Sequence, residues 1–146
     1  MTPQHILVPT DFSAHAKHAL DYAMHLAEPL RATLTLLYVI YLPPLAEANL
    51  TVQMDDIETQ SRRRLEAEAQ RVHDAGLPVK TQLVHGVPWQ QIVETAQDQH
   101  VDLIVMGTHG RTGIEHILLG SVAEKVVRLA PCPVLVVRDH TVAPRG

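Results

Sequence analysis

Short apolar runs alternate along the chain with longer stretches in which apolar residues recur every three or four positions. The runs predict strands and the periodic stretches predict amphipathic helices. His5 to Val8 is the first run, and Pro9-Thr10-Asp11 is expected to break it before Ser13 opens a helical pattern. Ala16, Ala19, Leu20, Ala23 and Ala27 share one helix face, with Ser13 as N-cap and Pro29 as the stop. Small alanines on that face suit close packing on a sheet. Thr33 to Ile40 is rich in β-branched and other apolar residues and predicts a second strand, closed by Pro43-Pro44. The stretch from Pro43 to Val52 reads as a loop.

From about Gln53 to Ala75 the composition is strongly helical, and Ile57, Leu65, Ala69 and Val72 mark a sparse apolar stripe on a charged rod. Gly76 and Pro78 supply the stop. Val79 to Val84 alternates apolar and polar residues, the pattern of a half-exposed edge strand, and Pro88 suits the first position of a helix running to about His100. Asp102 to Met106 is almost wholly apolar, as a parallel strand covered on both faces requires. A helix from about Val122 to Leu129 and a last strand, Val134 to Val137, complete the pattern. Strands that alternate with helices predict an α/β protein of one domain, residues 1–146. The expected fold is a doubly wound open sheet of five parallel strands, order 3-2-1-4-5, with helices on both faces. Such sheets bind ligands where loops leave the carboxyl ends of the strands.

Composition narrows the function. Apolar residues make up 46% and charged residues 19%, which argues against disorder, while aromatics at 3% demand an aliphatic core. The formal net charge is −4, and the longest basic run, Arg62-Arg63-Arg64, is followed closely by Glu66 and Glu68. That run reads as a solvated helix face, and polynucleotide binding is disfavoured for want of a basic patch and a stacking platform. The single cysteine, Cys132, excludes an intramolecular disulfide and suits a reducing cytoplasm. No apolar run approaches the roughly 20 residues of a membrane span, and the chain opens on a strand-like segment instead of a signal, so no membrane partner is expected.

If the first and fourth strands are neighbours, two loops meet at the carboxyl edge: Pro9-Thr10-Asp11 and the glycine-bearing stretch from Gly107 to Gly120. Glycine lets main-chain N–H groups approach a bulky anion closely. A helix opening at Ser121 would present unpaired N–H donors and the positive end of its dipole, so phosphate there needs no cluster of basic residues. His109 and Arg111 could add charge or hydrogen bonds. Plainer readings exist for each residue. Ser121 with Glu124 makes a capping box that serves its own helix. Asp11 could be a helix N-terminal charge, and Arg111 a solvated loop residue. Among the 10 histidines, His15 with His18 and His109 with His116 invite a metal, but a third ligand at characteristic spacing is missing. Trp89 beside Pro88 suits packing or a partner better than base stacking.

The spacing Gly107-x-x-Gly110, nine residues, Gly120-Ser121 resembles the phosphate-binding signature of the ATP-binding branch of the universal stress protein family. The likeness extends through Pro133-Val-Leu-Val-Val and the opening Ile6-Leu-Val-Pro-Thr-Asp-Phe-Ser, so it covers essentially the whole chain. The resemblance implies an adenine-nucleotide (ATP, ADP or AMP) binding protein of stress response or regulation, in which occupancy changes conformation or partners. Pro9, Thr10 and Asp11 would flank adenine and ribose, with Asp11 accepting from ribose hydroxyls. Val39 would offer backbone groups to adenine. Met106, Gly107, His109, Gly110 and Arg111 would line the ribose and phosphate path, and Gly120, Ser121 and Val122 would close on the phosphates. Magnesium would be held mainly through those phosphates. Phe12 departs from the pattern, standing where many relatives have glycine, and Pro43 to Val52 matches least.

Other ligand folds on this sheet lack their residues here. A receiver domain needs a cluster of acids and a lysine, a flavin site needs covering aromatics, and neither GxGxxG after the first strand nor a Gly-Lys-Ser/Thr P-loop occurs. A slow nucleotide hydrolase or nucleotidyl-transfer enzyme using the same pocket is the alternative, although no residue stands out to orient water. The last strand, Val134 to Val137, is apolar and expected at an open edge, which predicts a homodimer.

Overall fold

A computed structural model describes residues 2–41, 51–109 and 119–138, apart from the side chains of 51–54. Among these residues β1 (His5–Thr10), α1 (Ala14–Leu30), β2 (Thr33–Tyr41), α2 (Thr51–Asp74), β3 (Val79–Gly86), α3 (Pro88–Asp98), β4 (Leu103–Gly107), α4 (Ser121–Leu129) and β5 (Val134–Val137) follow in order. All pairings are parallel and the sheet order is β3-β2-β1-β4-β5. Strand alternation feeds two aliphatic cores. Ile6, Val8, Leu34, Leu36 and Val105 face α1 and α2, where they meet Leu20, Leu65 and Val72. Leu7, Leu37, Val39, Ile104 and Met106 face α3 and α4, where they meet Ile92, Ala96 and Val126. Helices therefore cover both faces of the sheet.

Several boundaries differ from the sequence reading for identifiable reasons. Pro9 and Thr10 do not break the strand; they are its last residues, paired in register with Leu37 and Tyr38. His5 O points to the β4 side, accepting from Asp102 N–H at 2.9 Å, while Gln4 O accepts from Thr33 on the β2 side. By alternation the nitrogen of Pro9 points toward β4, past the last β1–β4 pair, Leu7 with Ile104, where no ladder bond is lost. Pro29 lies inside α1 instead of stopping it, because only Leu30 follows before Arg31 turns left-handed (φ 54°) and Ala32 N–H closes on Ala27 O. On α2, Leu65 and Val72 are buried with Ser61, whereas Ile57 is exposed.

The loop expected at Pro43 to Val52 lies outside the described residues up to position 50, and Thr51 and Val52 already belong to α2. No helix among the described residues is long and apolar enough to cross a membrane. The single thiol, Cys132, is half-buried, and burial with the nearby Asp102 carboxylate pushes its pKa up.

Candidate functional site

The β1–α1 connection is built from three short side-chain-to-backbone bonds. Thr10 Oγ1 accepts from Phe12 N–H at 3.0 Å, Asp11 Oδ1 accepts from Ser13 N–H at 3.0 Å, and Ser13 Oγ caps α1 by accepting from Ala16 N–H at 3.2 Å. Such local bonds are what Thr, Asp and Ser offer a tight turn. The turn forces Phe12 to a left-handed φ of 65°, which glycine adopts freely and a bulky residue rarely does. Its ring is buried against Tyr38, 4.7 Å between centroids, as a side chain directed at the core requires.

Across the sheet, β4 ends at Gly107, and a Cβ there would lie 2.9 Å from His15 O, so glycine is what lets this strand end pack on α1. Gly120 N–H donates to Thr108 O at 2.7 Å, which brings the start of α4 beside the end of β4. Gly120, not Ser121, is the N-cap of α4, so the expected Ser121–Glu124 capping box does not form; Ser121 is the first helical residue and is exposed. Glu124 N–H is the first to reach back, donating to Gly120 O at 2.9 Å. The N–H groups of Ser121, Val122 and Ala123 therefore have no acceptor within their own helix.

These pieces surround a cavity of about 610 Å³ at the carboxyl edge of the sheet. Pro9, Thr10 and Asp11 line it from β1, Val39 from β2, Met106, Gly107 and His109 from β4 and its exit, and Gly120, Ser121 and Val122 from the start of α4. Gly110 and Arg111 lie outside the described residues, as do Glu115 and His116. Leu37, Pro88 and Ile92 also line the cavity and were not expected at the site from the sequence. Leu37 precedes Val39 by two on the same strand face, and Ile92 follows Pro88 by four on one helix face. Those periodicities carried the signal, but they do not tell a cavity wall from core.

The cavity wall is chemically mixed. Leu37, Val39, Pro88, Ile92 and Met106 are apolar, while Asp11, His109, Gly120 and Ser121 bring polar groups and the α4 N-terminus. His109 Nδ1 lies 3.1 Å from Thr108 Oγ1, and its ring is 5.6 Å from that of His15. No group of three His, Cys, Asp or Glu side chains suited to a metal occurs among the described residues. Trp89 packs at the edge of the α3–α4 core with Lys125 Nζ 5.5 Å from its ring centroid, and it does not line the cavity. Behind Thr10, burial pushes the Glu68 carboxyl above its ordinary range, opposed by Arg71, Lys17, the hydrogen-bonding hydroxyl of Thr10 and Arg64.

The model of the universal stress protein family matches residues 2–138. The chain belongs to the universal stress protein family. It is 37% identical over 137 residues to a universal stress protein of Methanocaldococcus jannaschii, MJ0531, covering 91% of this chain and 81% of that one. Among solved structures it resembles universal stress protein UspA from Lactobacillus plantarum, with a TM-score of 0.83, 30% identity and coverage of 94% of this chain and 99% of that one. It also resembles a universal stress protein solved in complex with cAMP, with a TM-score of 0.74 at 27% identity, over 94% of this chain and 98% of that one.

Proposed function

We propose that this universal stress protein binds an adenine nucleotide in the carboxyl-edge cavity and that occupancy regulates its conformation or partners. The observation that carries the reading is that apolar wall residues and the α4 N-terminus, whose first N–H groups have no acceptor within their own helix, share one cavity. A base belongs against the first and phosphate at the second, where the helix dipole and main-chain donors favour negative charge without basic side chains. The solved relative in complex with cAMP supports an adenine nucleotide as the ligand class.

In this reading Val39 offers backbone groups to the adenine, with Pro9 and Thr10 flanking it, and Asp11 accepts from the ribose hydroxyls. Met106, Gly107 and His109 line the path to the phosphates, and Gly120, Ser121 and Val122 close on them. Gly110 and Arg111 join this path on the strength of the sequence motif. A divalent cation is carried by the phosphates. The test is mass spectrometry of small molecules released on denaturing the purified protein, followed by calorimetric titration of ATP, ADP and AMP into stripped protein. Binding of at least one with a defined stoichiometry is expected, and absence of binding by all three rejects the reading.

A further inference from the structure

Among the described residues α2 contributes none to the cavity wall, yet one of its faces touches the loop that carries Asp11. The Arg64 guanidinium lies 4.4 Å from the centroid of the Phe12 ring, which also packs on the ring of Tyr38 of β2. Phe12 is thus held between α2 and the sheet while its backbone keeps a left-handed φ of 65°. A conformation that a bulky residue rarely adopts persists only where its surroundings hold it. Arg64 of α2 thereby bears on the residue that directly follows Asp11.

We propose that Arg64, through Phe12, is a positioning residue that couples α2 to the nucleotide-binding loop. The part that concerns affinity rests on the function proposed above. Asp11 is useful to a ribose only while the turn that aims it is intact, and the turn is clasped from α2. By reciprocity, a partner that moves α2 changes nucleotide affinity, and nucleotide changes the hold of that partner by the same factor.

The experiment uses the full chain as wild type, Arg64→Ala, Phe12→Gly and the double variant. Hydrogen exchange of the Phe12 and Ser13 amides in nucleotide-free protein reads the loop, and calorimetry with ATP reads affinity. Arg64→Ala is expected to speed exchange at both amides and weaken ATP binding about two- to fivefold, the range of a partly exposed cation–π contact. It should have no further effect on affinity in the Phe12→Gly background, which a contribution independent of the ring would not reproduce. Unchanged exchange in Arg64→Ala or equal affinity losses in both backgrounds overturns the proposal. Should the wild type bind no nucleotide while exchange responds as expected, the function proposed above fails and the clasp of α2 on the loop stands.

Discussion

Gly120 N–H donates to the carbonyl oxygen of Thr108 across 2.7 Å, and a Cβ built on Gly120 would meet that same oxygen at 3.2 Å. The bond that seats α4 against the end of β4 thus leaves little room for a side chain at this position. Gly120→Val is expected to displace the helix start and weaken ATP binding about tenfold or more, since the N–H groups would no longer converge on phosphate. Gly107→Ala should act on the fold first, because its Cβ would lie 2.9 Å from the His15 carbonyl, a rigid neighbour. A stability loss of about 1 to 3 kcal/mol is expected there. Thermal melts and ATP calorimetry on both variants check the division, and a Gly107→Ala protein as stable as wild type would contradict it.

Asp11→Asn keeps the oxygen that accepts from Ser13 N–H, so the turn should survive. What is lost is the charge on the acceptor offered to ribose, and charge-assisted hydrogen bonds are about twice as strong as neutral ones. Affinity for ATP should fall about tenfold, within the range for a hydrogen bond to a charged group. Affinity for 2′,3′-dideoxy-ATP should barely change. A loss of equal size for both nucleotides would show that Asp11 does not read the ribose hydroxyls.

Stability should depend on pH through Glu68. Its pKa is raised in the fold, chiefly by burial, so the native state holds this proton more tightly than the unfolded chain does. The corresponding stabilisation is complete below the ordinary value of 4.5 and is lost as pH rises through the raised folded value. Glu68→Gln, uncharged at every pH, should therefore melt higher than wild type near neutrality, with the gap narrowing on acidification. Parallel melting curves between about pH 4 and pH 7 test this. A gap that widens toward acid would reverse the sign and refute it.

A homodimer through β5 is expected. Pro133 O accepts from Ile104 N–H on the β4 side, so by alternation the backbone groups of Val134 and Val136 point outward along an edge of the sheet. Such an edge is a ready template for a second copy about a two-fold axis. Leu135 packs into the core beneath α1, which makes Val136→Lys the cleaner probe of association. Sedimentation at micromolar concentration should give a dimer for wild type and a larger monomer fraction for the variant; a monomeric wild type would refute the assignment.

Hydrolysis should be slow. Of the carboxylates lining the cavity among the described residues, Asp11 is committed to the ribose in the proposed reading and Glu124 lies 3.6 Å from Arg128, which leaves neither to orient an attacking water. Turnover of Mg-ATP below about one per second is expected, under the ordinary enzyme range. Multiple turnovers each second, measured as released phosphate, would favour an enzyme.

Local pattern alone was enough for the order of strands and helices. Buried parallel strands such as Leu103–Gly107 read as apolar runs, and the Ser13 cap and Pro88 start are local chemistry that needs no distant partner. The two site loops were legible for the same reason: glycines and Asp11 sit at the ends of strands, where an open sheet binds. Tertiary structure decided the rest. Pro9 stays in its strand because the neighbouring ladder has already ended, and Gly120 displaces Ser121 as the cap because α4 must reach the Thr108 carbonyl. Leu37 and Ile92 became cavity wall only when β2 and α3 were brought together at the carboxyl edge of the sheet. Arg64 met Phe12 only when α2 was laid across the sheet beside β2. Periodicity reports which face of an element is apolar, whereas a cavity, a cap or a clasp depends on what another segment brings to that face.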